Sequence, residues 1–453
     1  MTAIICLLSS LKLMNNKHKI KYPLKPFPHF DSQLKITTQV QKNLQDPHYI
    51  KSHSFYPFIN YTKTTRKFTQ DKVTKEKKLS DPKTREIYYA SHMDGYIFRY
   101  YGEILNNKYN LICGKKNIDY VSLAYRNNRR GQNNIHFSAE VISFLSQQKE
   151  AFIFVSDFSK YFDNLNHTIL KQKLIETLNC GLTLPDDWWN IFRHITKFSW
   201  VKKEIVLKDL EEKDGQKRSK TNKERYYTPQ QFRKFRKKVK INRNTTNKGI
   251  PQGTAISAVL ANVYAIDLDV ALNQYAQAYG GIYRRYSDDI ILILPNSIFD
   301  LTHENNIRTI IKENKVDVGE GKTSSLYYID QNIYINSDCS KLGKLDYLGF
   351  SFDGKKVQIR EKSLYKYYHR AYKKIKSINN ASYYFERKIK RKVGRRKLYS
   401  LYTHLGINYK GYGNFITYSR KAHSIFSEIS GIESKIAGQT KRHWTKIQKR
   451  IRK

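Results

Sequence analysis

Two adjacent carboxylates, Asp288 and Asp289, stand inside an apolar and aromatic stretch, Ile282-Tyr-Arg-Arg-Tyr-Ser-Asp-Asp-Ile-Ile-Leu-Ile-Leu294. The flanks predict two buried strands, with the acidic pair at the turn between them. Burying a lone carboxylate costs several kcal/mol, and a like-charged neighbour adds repulsion. A divalent cation offsets both terms. Asp at a hairpin tip also has an ordinary backbone use, so the dipeptide alone decides nothing. A third acid strengthens the case. Asp157 ends the run Ala151-Phe-Ile-Phe-Val-Ser-Asp157, which predicts another buried strand. One acid at a strand end and two on a hairpin can cradle two cations about 4 Å apart, an arrangement that serves phosphoryl transfer. Mg2+ suits such a site, with Mn2+ as the alternative, because it takes few carboxylates and leaves positions for water and substrate phosphates.

The surrounding elements must bring these acids together. Residues 136 to 148 predict an amphipathic helix leading into the Asp157 strand. Residues 202 to 248 are rich in Lys, Arg, Asn, Thr and Gln, with aromatic islands at Tyr226, Tyr227, Phe232 and Phe235. They read as an inserted basic loop with a short helix over Pro229 to Lys238, either a solvated connector or a nucleic-acid-contacting arm. Residues 1–80 form a basic, Pro-dotted extension expected to hold little regular structure, and helical patterning is expected from near Arg85. From Glu361 onward the chain is expected to be helical and very basic, with a cationic stretch at Arg387 to Lys397. Trp444, Ile447 and Ile451 fall on one helical face.

The chain has 83 Lys and Arg against 39 Asp and Glu, a formal net charge of +44. That excess points to a polyanionic partner, and nucleic acid is the default. Its 35 Tyr and 22 Phe supply rings for the core and for stacking on bases. Cys6, Cys113, Cys180 and Cys339 are scattered, which indicates neither a zinc site nor a disulfide framework and fits a reducing cytoplasm. The apolar run Ile4 to Leu13 is too short to span a bilayer. It reads as a docking segment or a start-site artefact, and no membrane association is expected.

Several segments together resemble a known family. Asp157-Phe-Ser-Lys-Tyr-Phe-Asp-Asn-Leu-Asn-His167 resembles the first palm motif of reverse transcriptases, and Lys248-Gly-Ile-Pro-Gln-Gly-Thr254 opens a segment that resembles the second. Tyr286-Ser-Asp-Asp289 is similar to their Tyr-x-Asp-Asp motif. Glu320-Gly-Lys-Thr323 resembles the fourth motif, and Tyr347-Leu-Gly-Phe350 the primer-grip turn. Arg85-Glu-Ile87 and Ala124-Tyr-Arg126 with His136 resemble fingers motifs of bacterial members. The order is the family's, over about residues 80 to 360. The resemblance implies an α+β right-hand polymerase: fingers and palm at 81–355 with the 202–248 insert, and a helical basic thumb at 356–453.

It also implies roles. Asp157, Asp288 and Asp289 would be catalytic and hold two Mg2+ ions, with the carbonyl of Phe158. Arg126, Ser159, Lys160, Tyr161, Phe162, Gln252, Gly253 and Lys322 would surround the deoxynucleoside triphosphate. Phe162 would exclude a ribose 2′-hydroxyl, Arg126 would bind the triphosphate, and Lys322 is either a proton donor to pyrophosphate or a surface lysine. Gly249, Pro251 and Gly253 would let backbone approach the nucleotide. Tyr347, Leu348 and Gly349 would grip the primer. Asp163 and His167 are expected to hold the strand-to-helix turn, and Tyr161 and Tyr264 to pack. Arg284 and Arg285 either touch nucleic acid or flank the hairpin.

Within the family, the chain is most similar to defence-associated bacterial enzymes of the "unknown group", related to group II intron and retron types. The partners implied are an RNA template, expected to be non-coding, a DNA product, and a partner protein or second copy. Two alternatives stay open: a group II intron maturase-like RNA-binding protein assisting splicing, and a non-catalytic nucleic-acid scaffold. Phe162 and the absence of a Gly-Asp-Asp form disfavour an RNA-dependent RNA polymerase.

Overall fold

The computed structural model describes residues 24, 27–65, 68–70, 77–79, 82–214, 225–298, 300, 302–319, 321, 323–388 and 394–451. The architecture is α+β. Its centre is a five-stranded antiparallel sheet in the order Asn332–Tyr334, Ser324–Ile329, Glu150–Asp157, Asp289–Pro295, Ile282–Tyr286. The expected Asp157 strand and the hairpin around the acidic pair are both present.

Strand alternation sorts the apolar residues of this sheet onto two faces. Phe152, Phe154, Ile290 and Leu292 join the larger core with Tyr96, Leu105, Val259 and Val263, from helices His92–Lys115 and Ala255–Tyr264. Ile153, Ile291 and Ile293 face a second core with Ile135 and Ile142 of helix Asn134–Ser146. A small sheet, Leu345–Tyr347, Phe350–Phe352, Lys356–Ile359 and Glu433–Ser434, closes that second core. The acidic ends of the central strands are thus held between two separately packed layers.

A four-stranded sheet lies beside the larger core, in the order Lys83–Tyr89, Phe58–Thr65, Ser199–Lys202, Asn242–Arg243. Two expectations change here. Residues 38–65 form helices Thr38–Gln45 and Pro47–Ser52 and the strand Phe58–Thr65, so the 1–80 extension holds regular structure. That strand pairs with Lys83–Tyr89, so a boundary at residue 80 would cut the pairing. Arg85 lies in this strand. The helix begins only at His92, where the Ser91 side chain accepts from the Asp94 N–H.

The insert also folds. It contains helices Lys203–Asp214 and Pro229–Lys238, the second opened by a Thr228–Gln231 capping box and by Pro229 in the first turn. The aromatic islands make a core of their own: Tyr226, Tyr227, Phe232 and Phe235 pack with Phe30, Ile59, Val201 and Val206. Nonlocal partners, Phe30 above all, convert an expected loop into a cap.

The C-terminal region opens with helix Glu361–Lys388. Its Ala371, Ile375 and Ile378 pack with Leu398, Trp444, Ile447 and Ile451, so the expected apolar face of the closing helix is used. Part of the Arg387 to Lys397 stretch lies outside the described residues. Among the described residues no single helix is long and apolar enough to cross a membrane. The apolar pair Ala255–Tyr264 and Ile266–Ala278 is bent by 49° and supplies core residues.

Candidate active site

Antiparallel register sets Asp157 directly opposite Asp289. Alternation along each strand puts both side chains on the Ile153 and Ile291 face. Asp288 occupies the hairpin turn, after Ser287 in the left-handed region at φ 64°. The Phe158 N–H donates to the Asp288 carbonyl at 2.9 Å, tying the two acidic segments together. A third segment joins them: the Ser159 N–H donates to Asp317 O at 2.7 Å, and the Gly319 N–H to Asp157 O at 2.9 Å.

Like charges directly opposite on antiparallel strands destabilise a sheet. An oxygen-only donor set with one exposed and two half-buried carboxylates fits a hard divalent cation. Among the described residues no three or more His, Cys, Asp or Glu side chains converge as a metal cage. Mg2+ does not need one, because water and phosphate oxygens supply its remaining ligands. The residues present therefore fit the expected ion.

Behind the turn, Arg285 is fully buried and answers the open question about its role. Its Nε and a terminal nitrogen donate to the two oxygens of Asp269 at 2.7 and 2.6 Å. That terminal nitrogen also donates to Ser122 Oγ at 3.1 Å, and the other donates to Asn262 Oδ1 at 2.9 Å and the Ser287 carbonyl at 3.1 Å. Tyr283 donates its hydroxyl to Asp269 at 3.0 Å. Burial alone would lower the guanidinium pKa, but the Asp269 carboxylate raises it well above its ordinary value. This network holds Ser287, and hence the acidic turn, from below. Arg284 flanks the hairpin instead, donating to Glu140 from Nε at 2.8 Å with its guanidinium over the Tyr120 ring.

A cleft of about 600 Å3 opens beside Phe162, Gln252 and Gly253, with Ile87, Tyr89 and Tyr125 also on its walls. Phe162 is half-buried, and Ser159 and Lys160 lie on the turn before it, Lys160 at φ 44°. The loop glycines serve the chain itself. A Cβ on Gly249 would stand 2.9 Å from Asp163 O, and one on Gly253 2.3 Å from Tyr88 O. The close approach expected toward a nucleotide is here an approach to neighbouring backbone, reinforced by Tyr88 N–H donating to Gln252 O at 2.8 Å.

Three further expectations meet specific geometry. Tyr161 is buried and donates its hydroxyl to Ala261 O at 2.6 Å, so it packs where a nucleotide contact was also expected. Burial raises its phenol pKa, and the Asp288 charge adds to that. His167 Nε2 meets Gly249 O at 2.8 Å and ties the turn to the loop; burial lowers its pKa. Arg126 does not point a free guanidinium at the cleft. Its nitrogens bond Asp119 Oδ1, the Asp119 carbonyl at 2.6 Å, the Ser122 carbonyl at 3.3 Å and Asn110 Oδ1 at 2.8 Å. Burial would raise the Asp119 carboxyl, yet Arg126 holds it below its usual range. Glu320 and Lys322 lie outside the described residues.

Tyr347-Leu348-Gly349 forms a two-residue hairpin turn, with φ 43° at Leu348 and 96° at Gly349. It is fastened by Asn134 Nδ2 to Leu348 O at 2.8 Å and by Arg360 N–H to Gly349 O at 3.0 Å. Burial raises the Tyr347 phenol, with the nearby Asp289 charge as the next cause. Sequence reasoning missed the Arg285–Asp269 pairing and the Asn-rich brace around Arg126, because no local pattern names such partners.

No protein-family model matches the chain, and no curated protein matches it. Among solved structures it is similar to telomerase from Candida albicans in complex with a TWJ fragment of telomeric RNA (11% identity over 93% of this chain and 66% of that one, TM-score 0.41). It is similar also to the corresponding Candida tropicalis complex (10% identity, 82% and 61%, TM-score 0.42). A third is the RNA-dependent RNA polymerase of a human picobirnavirus, as an insertion-loop deletion mutant (11% identity, 66% and 45%, TM-score 0.33). The chain thus spans less than two thirds of the length of the structures it matches. The fold is α+β, with the acidic strand ends at the centre of its antiparallel sheet.

Proposed function

We propose that this chain is an RNA-directed DNA polymerase, a reverse transcriptase. The observation that supports it best is the pairing of Asp157 with Asp289, with Asp288 at the adjoining turn; Phe162, five residues after Asp157, lines a cleft with Gln252. Asp157, Asp288 and Asp289, with the Phe158 carbonyl, would hold two Mg2+ ions. When bound, these ions supply charge neutralisation and activate the attacking oxygen in phosphoryl transfer.

The chain's own residues have separate tasks in this reading. Phe162 occupies the space a ribose 2′-hydroxyl would need and so selects deoxynucleotides. Gln252 borders the same space. The turn at Leu348 and Gly349 supports the primer end near Asp289. Arg126 acts indirectly, by fixing the loop at the cleft wall. Exposed Lys and Arg along Glu361–Lys388 and the closing helix hold phosphates of the template and product.

Purified protein given Mg2+, a primed RNA template and labelled deoxynucleotides should extend the primer. Asp288→Ala/Asp289→Ala protein should not, and equal extension by both would remove the assignment. The defence setting rests on motif resemblance, and phage challenge of cells carrying either form tests it separately.

A further inference from the structure

Tyr125 adopts φ 61°, a left-handed conformation that is an outlier for a bulky residue. A glycine or asparagine would sit there with far less strain. Such strain persists only where the surroundings over-determine it, and it gathers at binding sites. The surroundings here do so. Arg126 is locked onto Asp119, Ser122 and Asn110. Asn106 Nδ2 donates to the Tyr125 carbonyl, and Asn262 Nδ2 to the Ala124 carbonyl at 2.9 Å. Asn110 and Asn107 clasp Asn127 at 2.6 and 2.7 Å. The Leu123 N–H donates to Arg285 O at 2.9 Å, which joins this loop to the strand leading into the acidic turn.

All this bracing presents a tyrosine that is 53% exposed on the wall of the cleft shared with Phe162 and Gln252. An exposed aromatic ring on a braced backbone, in a cleft of a strongly cationic protein, suits one ligand chemistry, the face of a nucleobase. We propose that Tyr125 is a stacking platform for an unpaired nucleobase in this cleft, either the next template base or the base of the incoming nucleotide. The proposal rests on reading the cleft as the polymerase site, and it makes Arg126 a positioning residue for Tyr125 rather than a phosphate ligand.

The test uses the full chain and a hairpin primer–template with an RNA template strand. The first unpaired template position carries either a normal base or an abasic residue, and affinity is read by fluorescence anisotropy. The wild-type protein should prefer the base by on the order of tenfold. Tyr125→Asn suits the left-handed backbone and should fold, but it should bind the two hairpins equally. Tyr125→Phe should keep the preference.

In a second arm, the KM for a deoxynucleotide identifies the incoming base as the ligand if Tyr125→Asn raises it about tenfold while the template preference stays. If wild-type protein shows no preference in either arm, or Tyr125→Asn matches wild type in both, the proposal is wrong. A protein that extends no primer yet shows the Tyr125-dependent preference would refute the polymerase reading and keep this one.

Discussion

Two charged pairs each take one member from the same hairpin, Arg285 and Asp289, and they are electrostatic opposites. Asp157 and Asp289 face each other with the same sign at the open end of the sheet. Arg285 and Asp269 are both 0% exposed, of opposite sign, and fully bonded to each other and to their surroundings. The second pair holds the Ser287 carbonyl and so fixes the turn that carries the first. A compensated, buried pair supplies rigidity, and rigidity allows the neighbouring carboxylates to stand close without collapsing away from one another.

The largest effect should come from the acidic turn. Asp288→Ala/Asp289→Ala is expected to lower primer extension on the order of a thousandfold, corresponding to several kcal/mol of lost charge stabilisation. Its melting temperature should be unchanged or higher, since repulsion is removed. Stopped-flow extension and calorimetry check the two halves.

Breaking the compensated pair should do the reverse and act first on stability. Asp269→Ala leaves Arg285 buried and uncompensated, and should cost about 3–5 kcal/mol in denaturant unfolding. Replacing both residues, as Arg285→Met/Asp269→Leu, should restore much of that stability. Extension should stay impaired because Ser287 has lost its anchor. Full recovery of activity in the double variant would show that the pair does not position the turn.

A smaller effect concerns selectivity. Phe162→Ala should weaken discrimination against ribonucleotides by roughly a hundredfold, read as the ratio of kcat/KM values for the two sugars. A separate effect is a pH dependence away from both pairs. His29 is pushed down to about 4, mainly by burial and against the pull of Asp31. Its folded pKa is below the unfolded value of about 6.5, so its contribution to stability is present above pH 6.5. That contribution falls away between 6.5 and 4, by at most about 1.4 kcal/mol per pH unit. His29→Gln should flatten the melting-temperature profile over that window.

What could be read from the sequence follows the same division. The acidic pair was visible because its apolar flanks, Ile282 to Leu294, allow few structures other than a buried hairpin. The helix Pro229–Lys238 was visible because Thr228, Pro229 and Gln231 are local signals. Arg285 was not, since its meaning depends on Asp269 arriving from helix Ile266–Ala278. Arg126 likewise took its expected role from its type, and its bonds to Asp119 and Asn110 left no local signal. Phe30 could not be matched with Phe232 and Phe235 for the same reason. Periodicity and turn chemistry identify elements; they do not name nonlocal partners.

The most direct measurement is thermal unfolding with and without Mg2+ for the wild-type chain and for Asp157→Asn/Asp289→Asn. If the opposed carboxylates are the cation site, the wild-type melting temperature rises with Mg2+, whereas the variant starts at or above the wild-type value and does not respond. A wild-type protein indifferent to Mg2+, or a variant that responds equally, would contradict it.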